Sequence, residues 1–200
     1  VQVPEVAPSR RRQVVALGAV LLVLLAAFLV VRQVTADPPR SAECAAAEPG
    51  VRIDPAAVPV GPVAGYSGEQ LVNAAAIVNA AEALGMDTCA QVVGVMTAMG
   101  ESSLLVLDRG DAAGPDSRGL FQQRDNGAWG SYTDRMDPTT SATNFFLALQ
   151  EVPDWPSLAP TIAAHRAQRN ADPDHYARYW DDAVEVVSAL AGRRVLDPGD

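Results

Sequence analysis

The sequence predicts an all-α domain behind a single N-terminal membrane-spanning helix. Three observations lead there. Residues 14–31 are eighteen uncharged Val, Ala, Leu, Gly and Phe residues in a row. Between positions 67 and 192 apolar residues recur at helical spacing, punctuated by cap, proline and glycine signals. Strand-like alternation is scarce throughout.

Residues 1–13 form a short tail ending in Arg10, Arg11 and Arg12. The apolar run 14–31 is near the lower limit for crossing roughly 30 Å of hydrocarbon at about 1.5 Å per helical residue. Three Arg before it and only Arg32 after it set the N-terminus inside and all later residues outside. Eighteen residues exceed the roughly 7–15 of a signal-peptide core, so an uncleaved anchor is expected. Cleavage after Val34-Thr35-Ala36 is the competing reading. Residues 32–66 hold six Pro (38, 39, 49, 55, 59, 62) and three Gly (50, 61, 65) without sustained periodicity, the composition of a stalk.

The capping-box pattern Ser67-Gly68-Glu69-Gln70 opens the first helix of the domain at 67–192. Its Leu71, Ala74, Ala75, Val78, Ala81 and Leu84 share one face, and Gly85 stops it. Asp87 caps a second helix through Val92, Val93, Val95, Met96 and Met99 toward Gly100-Glu101. The segment from Leu107 to Asp134 is rich in Gly and Asp and has no strong period; long irregular segments of this kind are often functional. Asp137-Pro138 pairs an N-cap with proline at the first helical position, with Ala142, Phe145, Phe146 and Leu149 inward. Trp155-Pro156 breaks the chain before a short helix of roughly Ser157 to Arg169. Asp172-Pro173 repeats the cap-and-proline device and is expected to open the last helix. Tyr176, Trp180, Ala183, Val184, Val187 and Leu190 form its inner face, Gly192 ends it, and residues 193–200 are a tail.

Charge and composition exclude several functions. The net charge is −9 and the pI about 4.6. Residues 37–200 carry eleven Arg against 23 acids, a charge of −12. A nucleic-acid binder needs a basic face, so no nucleic-acid partner is expected. Two Cys and two His cannot supply a four-ligand structural zinc site of the usual kind, and neither metal nor cofactor is expected. Cys44 and Cys89, in an exported segment, most simply form one disulfide closing a loop of about 45 residues; the alternative is two unrelated thiols, with Cys89 buried.

Glu101 ends an apolar helix where the macrodipole is negative, and Leu104, Leu105, Val106 and Leu107 follow it. Both features disfavour the carboxylate and raise its pKa. A carboxyl protonated near neutral pH is what a general acid at a glycosidic oxygen requires. The alternative from position alone is a solvated helix-end charge. Asp108, Asp111 and Asp116 are candidate second carboxylates, against the alternative of loop-turn chemistry or a cation site, for which Asp108-x-x-Asp111 lacks the dense ligand spacing of a calcium loop. Trp129 and Tyr132 can stack on sugar faces; Trp129 is equally a core residue. His165 reads as a surface residue, and Trp180 as core.

Met99-Gly100-Glu101-Ser102-Ser103-Leu104, followed eighteen residues after Glu101 by Gly119-Leu120-Phe121-Gln122, resembles the lytic transglycosylases and goose-type lysozymes of the lysozyme-like superfamily. The likeness covers about residues 70–190 and extends to Trp129-Gly130, Asp137-Pro138 and Tyr176. It implies a lysozyme-like helical fold and cleavage of peptidoglycan glycan strands between N-acetylmuramic acid and N-acetylglucosamine. It further implies Glu101 as acid and then base, Ser117 and Gln122 near the reacting sugar, and Tyr176 as the hydroxyl that bonds the catalytic carboxyl. Phe121 stands where Met is commoner. Residues 108–114 replace the usual Ala-x-Ser stretch, and His165 to Arg169 occupy the region of the usual Tyr-Asn-Ala-Gly. A non-catalytic glycan-binding or scaffold ectodomain is the alternative.

Overall fold

The computed structural model describes residues 40–112 and 114–196. The expected tail, apolar anchor and cleavage site all fall outside these residues. Among the described residues no helix is long and apolar enough to cross a membrane.

The described residues form six α-helices and three short 3-10 turns, with isolated bridges and no strands. The helices are α1 (Glu69–Ala83), α2 (Thr88–Ser102), α3 (Tyr132–Met136), α4 (Pro138–Gln150), α5 (Pro160–Gln168) and α6 (Trp180–Ala191). The expected all-α class is what is found. Helix α2 is apolar on every side and buries thirteen of its fifteen residues, the pattern of a helix enclosed by others. It packs against α1, α4, α5 and α6, while α1 also lies along α4. At the centre Phe121 stacks on Phe145, ring centroids 4.8 Å apart, and Phe146 meets Phe145 edge-on at 5.3 Å.

Local signals explain most boundaries. Asp87 accepts from Ala90 N at 3.0 Å, and Asp137 accepts from Thr140 N at 2.7 Å. Gly85 and Gly192 adopt positive φ just past α1 and α6. Three expectations need correction. Ser67 does not cap α1: Gly68 is the N-cap, and only the return half of the box forms, Ser67 N to Gln70 Oε1 at 3.2 Å. Asp172 does not open the last helix. Its carboxylate accepts from Asp174 N in a turn, and α6 begins eight residues later at Trp180. Helix α3 starts inside the end of the segment expected to be irregular and runs two residues past it, opened by a complete Ser131/Asp134 capping box.

The stalk expectation also changes. From Arg40 onward the Pro-rich segment is laid along α1 and α2 as a strap. Gln91 pairs with both backbone groups of Val51 (3.1 and 2.7 Å), and Asn79 does the same for Ile53 (2.7 and 3.0 Å). These side-chain amides supply the ladder that a neighbouring strand would provide. Ile53 and Cys44 are buried. The tail at 193–200 is likewise attached as far as Leu196: Arg193 pairs with Glu48 at 2.8 Å, and Val195 and Leu196 are buried.

Cys44 and Cys89 form the disulfide, with Cα atoms 5.4 Å apart and 45 residues between them in sequence. It ties the strap to the first turn of α2. Removing it through the double change Cys44→Ser, Cys89→Ser is expected to cost roughly 3–4 kcal/mol on the chain-entropy model. For a domain of this size that lowers the melting temperature by about 6–16 °C. Thermal melts of the two proteins check the shift, and a thiol assay on the unfolded, unreduced wild type should find no free sulfhydryl.

Candidate active site

Glu101 sits in the last turn of α2, and the residue before it explains how its neighbours approach. A Cβ on Gly100 would lie 2.7 Å from Tyr176 Cδ1 and 3.1 Å from Cε1. Only a bare Cα lets the Tyr176 ring lie flat against the helix end. From there the Tyr176 hydroxyl donates to Glu101 Oε1. Tyr176 is fully buried, and its own pKa is raised by that burial and then by the Glu101 charge, so it stays a neutral donor. His175 packs edge-on to Tyr176 with centroids 4.8 Å apart. Its Nε2 lies 3.3 Å from the Gly100 carbonyl, which accepts from it.

Burial raises the Glu101 pKa above its ordinary value. The Tyr176 hydrogen bond, the His175 ring and the Gln168 amide pull the other way, while Asp111 adds to the rise. Desolvation wins because Leu104 is buried beside the helix end and Leu105, Val106 and Leu107 are partly covered. The carboxyl is therefore both oriented by a donor and biased toward its protonated form.

The two motifs flanking the irregular segment are joined through Ser102. Its buried Oγ lies 2.8 Å from Leu120 O and 3.1 Å from Ala98 O. The turn at 118–123 is closed by reciprocal bonds between Arg118 and Gln123 (3.0 and 2.9 Å). Gln168 Nε2 holds Phe121 O at 2.8 Å, so the same side chain reaches both Glu101 and this turn.

Glu101 opens onto a groove of about 1090 Å³, beyond the roughly 300–1,000 Å³ that suits a drug-sized ligand. Ser117, Gln122 and Trp129 line it together with Glu101. Tyr176 bonds the Glu101 carboxyl as the resemblance implies; it stands behind Glu101 and does not line the groove, so it positions the carboxyl and is no sugar contact. Tyr132 is half exposed, hydrogen-bonds Asp108, and does not line the groove either. Trp129 is buried, 8% exposed, but stands apart from the main core cluster at the groove, so it offers only part of its ring there. His165 is not a plain surface residue: its Nδ1 meets the Asn170 side chain, which in turn bonds Tyr176.

The three candidate second carboxylates separate clearly. Asp108 lies 3.0 Å from Arg118 Nε. Asp116 accepts from Arg124 Nη2 (2.7 Å) and Nε (3.0 Å) and from Asp125 N (2.9 Å), which lowers its pKa to about 2. Asp111 alone of the three lines the groove, and it accepts from Gly114 N at 2.8 Å. Among the described residues no cluster of His, Cys, Asp and Glu could hold a metal ion.

Several site residues carry no local signature. Seven groove-lining side chains are Asn or Gln, including Gln123, Gln168 and Asn170. Gln123 is buried, donates to Ser141 O at 2.9 Å, and leaves its Oε1 unpartnered. Arg135 of α3 is 3% exposed and fixes the loop from below: its Nη1 donates to Asp116 O at 3.1 Å, and its Nη2 meets Asp125 Oδ1 at 3.3 Å. Buried Arg is rare in sequence statistics unless paired, and here the partners in the loop, Asp116, Gln123 and Asp125, lie ten or more residues away.

Neither a protein-family model nor a curated protein sequence matches this chain.

Proposed function

We propose that this protein is a lytic transglycosylase, membrane-anchored and facing outward, that cuts peptidoglycan between N-acetylmuramic acid and N-acetylglucosamine. The observation that carries the reading is a buried, upward-shifted Glu101 held by the Tyr176 hydroxyl at the wall of a large groove. The resemblance at Glu101-Ser102 and Gly119-Leu120-Phe121-Gln122 supports it, as does a lining rich in carboxamides, which suit the hydroxyls and acetamido groups of a neutral sugar backbone. No cofactor enters the chemistry.

Protonated Glu101 gives its proton to the glycosidic oxygen as the C1–O bond breaks, leaving a cationic sugar. The resulting carboxylate then takes the proton of that sugar's 6-hydroxyl. The 6-oxygen closes on C1 to form a 1,6-anhydro end, and Glu101 is again neutral. This route needs no second carboxylate, in keeping with the engagement of Asp108 and Asp116 by arginines. The Tyr176 hydroxyl stabilises Glu101 most when it is charged, which is after it has given up its proton.

Digestion of purified peptidoglycan by the full chain tests the assignment, and the pH profile of that digestion tests the roles. Activity should fall on the alkaline side as Glu101 loses its proton, above the range of an ordinary carboxyl. Tyr176→Phe removes a bond that favours the charged form, so the alkaline limb should move to higher pH. Losing a hydrogen bond to a charged group costs about 1.5–3 kcal/mol, so kcat should fall about 10–100-fold. An unmoved limb with unchanged kcat would remove Tyr176 from the mechanism.

A further inference from the structure

The described residues contain eleven arginines among 20 acids. Six of them pair with carboxylates: Arg40, Arg52, Arg118, Arg124, Arg135 and Arg193. Arg178 lies over the Tyr179 ring, 4.7 Å from its centroid, and Arg194 is engaged as well. Three remain. The guanidinium groups of Arg109, Arg166 and Arg169 have no hydrogen bond or ion pair among the described residues, and all three residues line the Glu101 groove. On a surface with nearly twice as many acids as arginines, unpaired guanidiniums are the exception, and here the exceptions meet at one site.

Arg169 adds a second observation. It is the C-cap of α5 at φ 57°, a left-handed position where glycine is cheapest and an ordinary L residue is disfavoured. A side chain kept at such a position, on the lip of the groove, fits a functional constraint better than a helix-stop preference. Arg166 comes from the last turn of the same helix, and Arg109 from the loop after α2.

We propose that Arg109, Arg166 and Arg169 make this groove a reader of carboxylates carried on its glycan, so that its substrate is a strand still bearing acidic peptide stems. The inference rests on the glycosidase reading for the glycan, and on the arginines for the charge. Guanidinium groups recognise carboxylates through paired, parallel N–H donors. The −12 charge of residues 37–200 opposes an anionic polymer at long range; the groove lining itself holds Arg109, Arg166 and Arg169 beside Asp111 and Glu151, so the three cations offset that repulsion locally where contact is made.

The test is equilibrium binding by the full chain carrying Glu101→Gln, which cannot turn the ligand over. Three probes are used: soluble peptidoglycan strands with intact stems, the same strands with every carboxyl amidated, and the neutral N-acetylglucosamine hexamer. Strands with free carboxylates should bind about tenfold more tightly than amidated strands, a margin that three exposed charge contacts can supply together. The margin should shrink with added salt, and the neutral hexamer should group with the amidated strands. In the triple variant Arg109→Gln, Arg166→Gln, Arg169→Gln the ratio should collapse to about one. Equal binding of free and amidated strands overturns the proposal, and so does a preference that survives in the triple variant. Cleavage by the wild type is scored separately. Carboxylate-dependent binding without cleavage removes the glycosidase reading and leaves the anion site standing. Cleavage of both strand types at one rate, with no binding difference, removes the anion site alone.

Discussion

Replacing Glu101 by Gln is expected to lower glycan cleavage by at least about 10²–10⁴-fold, the usual loss of a positioned general acid. The loss should lie at the upper end because one carboxyl gives the first proton and accepts the second. Gln keeps the size of the side chain and an oxygen for the Tyr176 hydroxyl, so the fold should survive. The stability effect has a definite sign. Burial raises the folded-state pKa of Glu101, so the folded protein holds the proton more tightly than the unfolded chain does. Stability contributed by the neutral carboxyl is full below the ordinary carboxyl range and is lost as pH rises through the raised value. At neutral pH and above, Glu101→Gln should therefore melt at the same temperature as the wild type or higher, and the difference should close in acid. Melts at pH 4 and pH 8 on the samples used for rate measurements check both parts.

Gly119→Ala should be the most damaging small change in the loop. Gly119 has φ 75°, and a Cβ there would lie 1.8 Å from the Arg135 carbonyl oxygen. The left-handed backbone costs an L residue roughly 1–2 kcal/mol. The collision is with the backbone of α3, where Arg135 is itself pinned by Asp116 and Asp125, and overpacking of this kind costs about 1–3 kcal/mol more. A loss of about 2–5 kcal/mol in denaturant unfolding is expected. Activity should fall further than stability explains, because the turn carries Gln122 into the groove and holds Leu120 O for Ser102. Wild-type stability in Gly119→Ala would mean that the loop moves freely and does not position the site.

What could be read from the sequence divides along physical lines. Helices α1, α4 and α6 announce themselves because their apolar faces are long enough to show a period, α2 does so as a long apolar run closed by Gly100-Glu101, and Asp87 and Asp137 mark two of the starts. Helix α3 is five residues long, too short for any period. Asp172-Pro173 satisfies a local helix-start rule that tertiary structure overrides: Tyr176 is fully buried against Gly100, and the chain runs through a 3-10 turn at Ala177–Tyr179 before α6 begins. The strap at 40–66 reads as a linker because its pairing partners are the side chains of Asn79 and Gln91, distant in sequence and carried on helices. The same division holds at the site. Glu101 is legible from its place at the end of an apolar helix. Gln168, Asn170 and Arg135 are not, because each acts on a partner that only the fold brings near: Phe121 O and Glu101 for Gln168, Tyr176 for Asn170, Asp116 O and Asp125 for Arg135.

The most direct test of Glu101-centred glycan cleavage is mass spectrometry of the fragments released from purified peptidoglycan by the full chain and by its Glu101→Gln variant. The wild type should release disaccharide peptides ending in 1,6-anhydro-N-acetylmuramic acid, and the variant should release none above background. Strands bound and recovered uncut by the wild type, or the same fragments released by a folded Glu101→Gln protein, would contradict it.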